Sequence, residues 1–231
     1  MPDDIDDGDH FDECSPFFLS YARAAESPAA VPAAENADHY VAKLFQDLSE
    51  NVGQLIGLRL GVEAGFMDRQ MRGGMQWHDE LLHALGTCQV LVALISARYL
   101  RSPWCGKEWH AFTQREVRSR AGGKANPRQG CIIPVMWAPV SAELPAQIRR
   151  GLTFSPDLRP DPTVLGQYQE NGIFGLLRMG QIDSYDVVTW QLAMHISRVY
   201  YSQVVEIREF KPEELRNIFQ TRRGDREEGA E

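Results

Sequence analysis

Short, unbroken apolar runs alternate along the chain with stretches where apolar side chains recur every three or four residues. Val90–Ile95 (VLVALI) is the clearest run, with the length and composition of a strand buried on both faces. Pro16–Ser20 (PFFLS) and Cys131–Trp137 (CIIPVMW) share its character. Pro134 removes a ladder donor from the latter, which predicts a strand end or a bulge there. A second strand in chain order falls somewhere in Leu58–Met67, its limits blurred by two glycines. Helical spacing marks Asp38–Val52, through Tyr40, Val41, Leu44, Phe45, Leu48 and Val52, and Trp77–Leu85, through Trp77, Leu81, Leu82 and Leu85. Gly86 is placed to end the second of these in a left-handed cap. Ser102 and Pro103 fit the N-cap and first position of a helix running to about Arg118. A last long helix falls near Val187–Val204. A short one is expected between Val205 and Phe219, where Leu215, Ile218 and Phe219 share a face after Pro212. Ala138–Gln181 carries too little pattern to divide, apart from an edge strand guessed near Leu152–Phe154.

Strands alternating with helices predict an α/β fold: a flavodoxin-like, doubly wound parallel sheet of about five strands, order 2-1-3-4-5, flanked by helices. Ligands of such sheets favour the crevice at the carboxyl ends of strands 1 and 3. That rule sets Ser20–Arg23 beside Ser96–Tyr99, with Asp68 and Arg69 close by after strand 2. The expected organisation is an acidic, disordered leader over 1–13, one domain over 14–204, and a short helix with a charged tail over 205–231.

Composition narrows the function classes. A net charge of −8 argues against nucleic acid as the main partner, because neutralising phosphates needs a basic face. No stretch approaches the roughly 18 apolar residues of a membrane span. The N-terminus is acidic where a secretory signal would be basic and then apolar. Cysteines at 14, 88, 105 and 131 form no C-x-x-C pair, which suits a reducing cytoplasm better than a disulfide framework.

Five segments, two of them overlapping, resemble one family in order and spacing. PFFLSYAR is similar to the first box of Toll/interleukin-1 receptor (TIR) domains. FMDRQMRGGMQWHDELLHAL resembles their second strand, BB loop and following helix, and CQVLVALISARYLRSPWC their third strand and serine-rich loop. SPWCGKEW sets Ser102, Cys105 and Glu108 in the S-x-x-C-x-x-E pattern of bacterial and plant members, while CIIPVMW fits the fourth strand. The flavour is nearest the FxsC-type TIR-like proteins of bacterial modified-peptide loci. Two departures border the cleft: Ala24–Ala37 is an Ala/Pro-rich insertion, and Gln54–Ala64 lengthens the approach to the second strand.

The resemblance implies cleavage of the nicotinamide–ribose bond of NAD⁺, by hydrolysis or cyclisation, with Glu108 as the essential group. NAD⁺ enters as substrate, and no cofactor is implied. The chemistry is sensible, since nicotinamide is a cationic leaving group that needs no general acid. One carboxylate can steady the oxocarbenium-like ribose and bind its hydroxyls. Phe18, Ser20, Tyr21 and Arg23 would form the floor and rim of the substrate cleft, joined by Asp68, Arg69, Ser96, Ser102, Trp104 and Cys105. Arg72, Gly73 and Gly74 resemble the BB loop, which in TIR assemblies touches a neighbouring subunit; a homo-oligomer or TIR–TIR assembly is therefore the expected partner.

Plainer readings stand beside these. Glu108 is also what a solvated charge in the second turn of a helix looks like, and Tyr21 and Arg23 could simply pack or face water. Ser102 is first a helix cap, Cys105 a small buried residue, Trp109 a core aromatic, and Trp104 has the same alternative. Arg72–Gly74 reads equally as a polar turn. His78 and His83 lie five apart and diverge by about 140° around a helix, which speaks against a zinc pair. A TIR scaffold that signals by homotypic association without catalysis is the competing function, because fold does not fix activity.

Overall fold

A computed structural model of the chain describes residues 15–23, 37–59, 61–68, 75–122, 130–141, 144–150, 154 and 161–219, with the backbone alone at 37, 75–78, 147 and 150. The expected leader, the 24–36 part of the first insertion and the end of the tail lie outside these residues.

Four strands form a parallel sheet in the order β2-β1-β3-β5. They are β1 (Phe17–Ser20), β2 (Gly65–Met67), β3 (Val90–Ile95) and β5 (Ile132–Met136). Phe18 pairs with Phe66 on one side and with Leu91 on the other, and Val92 pairs with Ile133. Side chains alternate across the sheet, and that alternation separates two layers. Phe17, Leu19, Val90, Val92, Leu94, Ile133 and Val135 share a core with residues of α1 (Ala37–Ile56), α5 (Pro162–Arg178) and α6 (Ile182–Ser202). Phe18 and Leu91 face the other way, onto α2 (Met75–Thr87) and α3 (Pro103–Thr113). A further short helix, α4 (Ala146–Arg150), brings Ile148 into a third cluster with Tyr99, Cys105 and Trp109. This is the doubly wound arrangement expected, with strands 2-1-3 and the Cys131–Trp137 strand in the expected order. Among the described residues no helix is long and apolar enough to cross a membrane.

Several local expectations give way to tertiary contacts. The helix after Ser102–Pro103 stops at Thr113 rather than near Arg118. Arg115 turns inward and donates to the carbonyls of Leu85, Cys88 and Glu206, releasing Val117–Ser119 to form β4 against β6 (Gln203–Val205), antiparallel. Gly86 does not cap α2 but lies within it. It is small for another reason: an added Cβ would collide with the carbonyl of Arg208, whose N–H donates to the Gly86 carbonyl at 3.1 Å. Pro134 sits in mid-strand, opposite Ala93, instead of at an end or bulge. An edge strand tolerates it there, because alternate backbone groups of β5 face away from β3. The outward Pro134 carbonyl accepts the Phe154 N–H at 2.6 Å, and the outward Met136 N–H reaches the Tyr168 hydroxyl at 2.9 Å. Of the guessed strand at Leu152–Phe154, only Phe154 is described, and it is not part of a strand.

The last long helix starts at Ile182, earlier than Val187. α5, unseen in the sequence, opens on an Asp161 cap whose carboxylate accepts the Thr163 N–H at 2.8 Å, and it bends at Gly172. No α-helix spans Val205–Phe219. One 3₁₀ turn, Pro212–Glu214, interrupts an extended strap that buries Phe210 and Leu215 and sets Ile218 and Phe219 against the third cluster.

Candidate active site

Ser20 ends β1 with its side chain on the α3 side of the sheet, by the same alternation that turns Phe18 that way. α3 is aimed at it by its own start. The Ser102 hydroxyl accepts the Cys105 N–H at 3.3 Å, and Pro103 occupies the first turn, where its missing N–H costs nothing. Cys105 and Glu108 follow Ser102 at three-residue steps and so share one helix face. That face meets β1: the Ser20 hydroxyl donates to the Glu108 carboxylate and accepts from the Tyr99 hydroxyl at 3.0 Å.

Glu108 is only 3% exposed. Burial pushes its carboxyl up to about 8, and the Asp68 carboxylate adds to the rise; the Ser20 hydrogen bond and the Arg23 charge pull against it. Burial, and then the Glu108 charge, also hold the Cys105 thiol well above its ordinary range, so Cys105 is an inert packing group. Tyr99, wholly buried, is raised by the same two influences among others.

Above Glu108 opens a cleft of about 550 Å³. Leu19, Tyr21, Ala22 and Arg23 line it from the end of β1, Asp68 from just after β2, Ser102 and Trp104 from the start of α3, and Arg98 and Arg101 from the turn after β3. The rim is laced together. The Tyr21 hydroxyl and the Arg23 guanidinium both donate to the Asp68 carbonyl, at 3.2 and 3.0 Å, and Arg23 also pairs with the Asp68 carboxylate. Burial and the nearby Asp38 carboxylate push the Tyr21 phenol up to about 12, so it stays a neutral donor.

The structure thus gathers Tyr21, Arg23, Asp68, Ser102, Trp104 and Glu108 at one cleft, with Ser20 and Cys105 buried behind Glu108. Phe18 is not at its floor. Fully buried, it stacks on Phe66 at 5.4 Å and tilts onto Phe112 at 6.4 Å, because it shares the face of Ser20 but lies two residues deeper in the α2–α3 layer. Ser96 lines a neighbouring crevice and accepts the Tyr99 N–H at 3.2 Å, which fixes the turn carrying Arg98 and Arg101. Arg69, Arg72, Gly73 and Gly74 lie outside the described residues. Trp109 is in the core, as expected.

Sequence reasoning set the Ser96–Tyr99 segment at the crevice without singling out Arg98 or Tyr99, and it missed Arg101. The signal was available in S-A-R-Y-L-R, directly after the strongest strand and at the switch point, where each polar side chain has a short path to the cleft.

The family model described as TIR domain matches residues 17–163. No curated protein and no solved structure gives a match.

Proposed function

The chain belongs to the TIR domain family, and from that premise we propose that it cleaves the nicotinamide–ribose bond of NAD⁺ when it self-associates. The observation that carries this reading is the placement of Glu108: a carboxyl removed from water, hydrogen-bonded by Ser20, at the base of a cleft with cationic side chains on its rim. In a site of low polarity a carboxylate is a far stronger partner for a developing cation than it is in water.

The reaction follows from that charge. The bond between ribose C1′ and the pyridinium nitrogen breaks, its electron pair leaves with neutral nicotinamide, and C1′ becomes oxocarbenium-like. Glu108 as carboxylate stabilises that cation. Water then adds at C1′ and loses a proton, giving ADP-ribose; attack by a nucleophile within the same molecule gives a cyclic product instead. Ser20, itself oriented by Tyr99, holds the carboxyl in place and favours its ionised form. TIR domains generally assemble through TIR–TIR contacts, and we include self-association as the activating step. The Ser102, Cys105 and Glu108 spacing supports placing the chain with bacterial and plant members, and the buried cysteines at 88, 105 and 131 suit a cytoplasmic setting.

The test is nicotinamide release from NAD⁺ by the purified chain over a range of concentrations, beside Glu108→Ala. The expected outcome is release whose specific rate climbs with concentration, reduced about 10²–10³-fold or more in the variant. No release at any concentration, with the chain demonstrably self-associated, would move the assignment to a scaffold that works by association alone.

A further inference from the structure

Beyond Ala22 lies a second crevice of about 290 Å³, lined by Tyr21, Trp137, Phe174, Ser96, Asp38 and Arg98 among others. Its three aromatic rings contrast with the polar rim of the Glu108 cleft. Two of them are locked together by backbone: the Phe174 N–H donates to the Trp137 carbonyl at 2.8 Å, and the rings sit 5.7 Å apart. Gly172 makes this approach possible, with a φ of 64° and no Cβ to strike the Trp137 carbonyl.

The two crevices share Tyr21, Ala22 and Arg98 as a common wall. Ala22 has the smallest side chain in that wall, so the barrier between them is low. Arg98 is exposed and borders both. In a chain of net charge −8, Arg98 and Arg101 project from one turn at this ridge. Flat aromatic walls suit a nucleobase, and a guanidinium beside them suits phosphate, which it can grip with two parallel N–H bonds. The Asp38 carboxylate is an acceptor matched to the exocyclic amine of adenine.

We propose that the aromatic crevice binds the base of an adenine nucleotide, with Arg98 holding its phosphate on the ridge. A dinucleotide would then lie across Ala22, adenine among Tyr21, Trp137 and Phe174, and its other end over Glu108. The second half of that placement rests on the cleavage reading given above; the first half does not.

Isothermal titration of the full chain with AMP tests the first half without catalysis. AMP should bind, and both Arg98→Gln, which changes an exposed side chain, and Phe174→Leu, which removes a ring, should weaken it by about tenfold or more. Absent AMP binding, or binding unchanged in Arg98→Gln, would overturn the proposal even if nicotinamide is released from NAD⁺. AMP binding lost in both variants would sustain it even if no nicotinamide is ever released. If both hold, Arg98→Gln should lower kcat/KM for NAD⁺ about tenfold more than for nicotinamide mononucleotide, which lacks the adenosine end; equal losses would contradict the dinucleotide placement.

Discussion

Glu108 holds its proton to higher pH than an exposed glutamate because ionising it means placing a charge out of water between α3 and β1. Two consequences carry opposite signs. For activity, the carboxylate is the working form, so kcat/KM should rise with pH around a midpoint near 8. Ser20→Ala removes the hydrogen bond that favours the carboxylate and should move that midpoint to higher pH; Tyr99→Phe, acting through Ser20, should move it less. Both are read from pH profiles of nicotinamide release. For stability, the folded value lies above the ordinary 4.5, so the stabilising contribution of the neutral carboxyl is full below about 4.5 and lost as pH rises through about 8. Thermal melts should show the wild-type chain losing ground to Glu108→Gln across that window, by a few kcal/mol in order of magnitude. Melts that run parallel from pH 5 to pH 9 would mean the carboxyl is better solvated than its burial implies. At this scale the sequence was informative where spacing alone fixes direction: Cys105 and Glu108, three residues apart, share a face on any helix. It misled at Phe18, which shares the face of Ser20 but lies two residues further from the carboxyl end of the strand, where Phe66 and Phe112 enclose the ring.

Among the elements, β1, β3 and β5 were legible as unbroken apolar runs and α1 by its helical spacing, whereas β2 was located only within Leu58–Met67, and β4 and β6 fell in stretches read as helix. α5 was not legible, although Asp161-Pro162 repeats the cap-then-proline sign that located α3. Glycines at 166, 172 and 175 dilute its pattern, and at Gly172 the backbone is not helical at all. That residue sets Phe174 against Trp137, so Gly172→Ala combines a positive φ with a Cβ only 2.6 Å from the Trp137 carbonyl oxygen. It should cost roughly 1–3 kcal/mol in chemical denaturation. A neutral substitution would show that α5 repacks without its bend. The overlong α3 and the supposed cap at Gly86 failed for a common reason. Both are governed by the C-terminal strap, whose contacts through Arg115, Glu206 and Arg208 are distant in sequence and invisible to local pattern.

At the scale of the molecule, alternation of strands and helices, a global rule that needs no exact boundaries, predicted the parallel order of the four strands described, though about five were expected. What lay beyond it was how much of the chain joins the fold. Residues 206–219 are not an appendage: Phe210 and Leu215 are buried, and the Phe219 ring lies 5.7 Å from that of Tyr99, behind the hydroxyl chain that reaches Glu108. A chain ending at Val205 would expose those contacts, each large apolar group contributing about 1.5–3 kcal/mol. Its melting temperature should fall by several degrees or more, and the cleft should lose order with it. Unchanged melting would mean that the strap rests on the domain without supporting it.

The central claim concerns one charge at one place, and the most direct test changes that charge alone. Glu108→Gln keeps the size of the side chain and an acceptor for Ser20 while removing the carboxylate. Nicotinamide release from NAD⁺ should be measured at pH 8.5 for wild type and variant at the same high concentration, with matching circular dichroism. Ready release by wild type and loss of at least about 10²-fold in the variant is the predicted result. Equal release by both would contradict the account, because the reaction would then run without the carboxylate on which it is built.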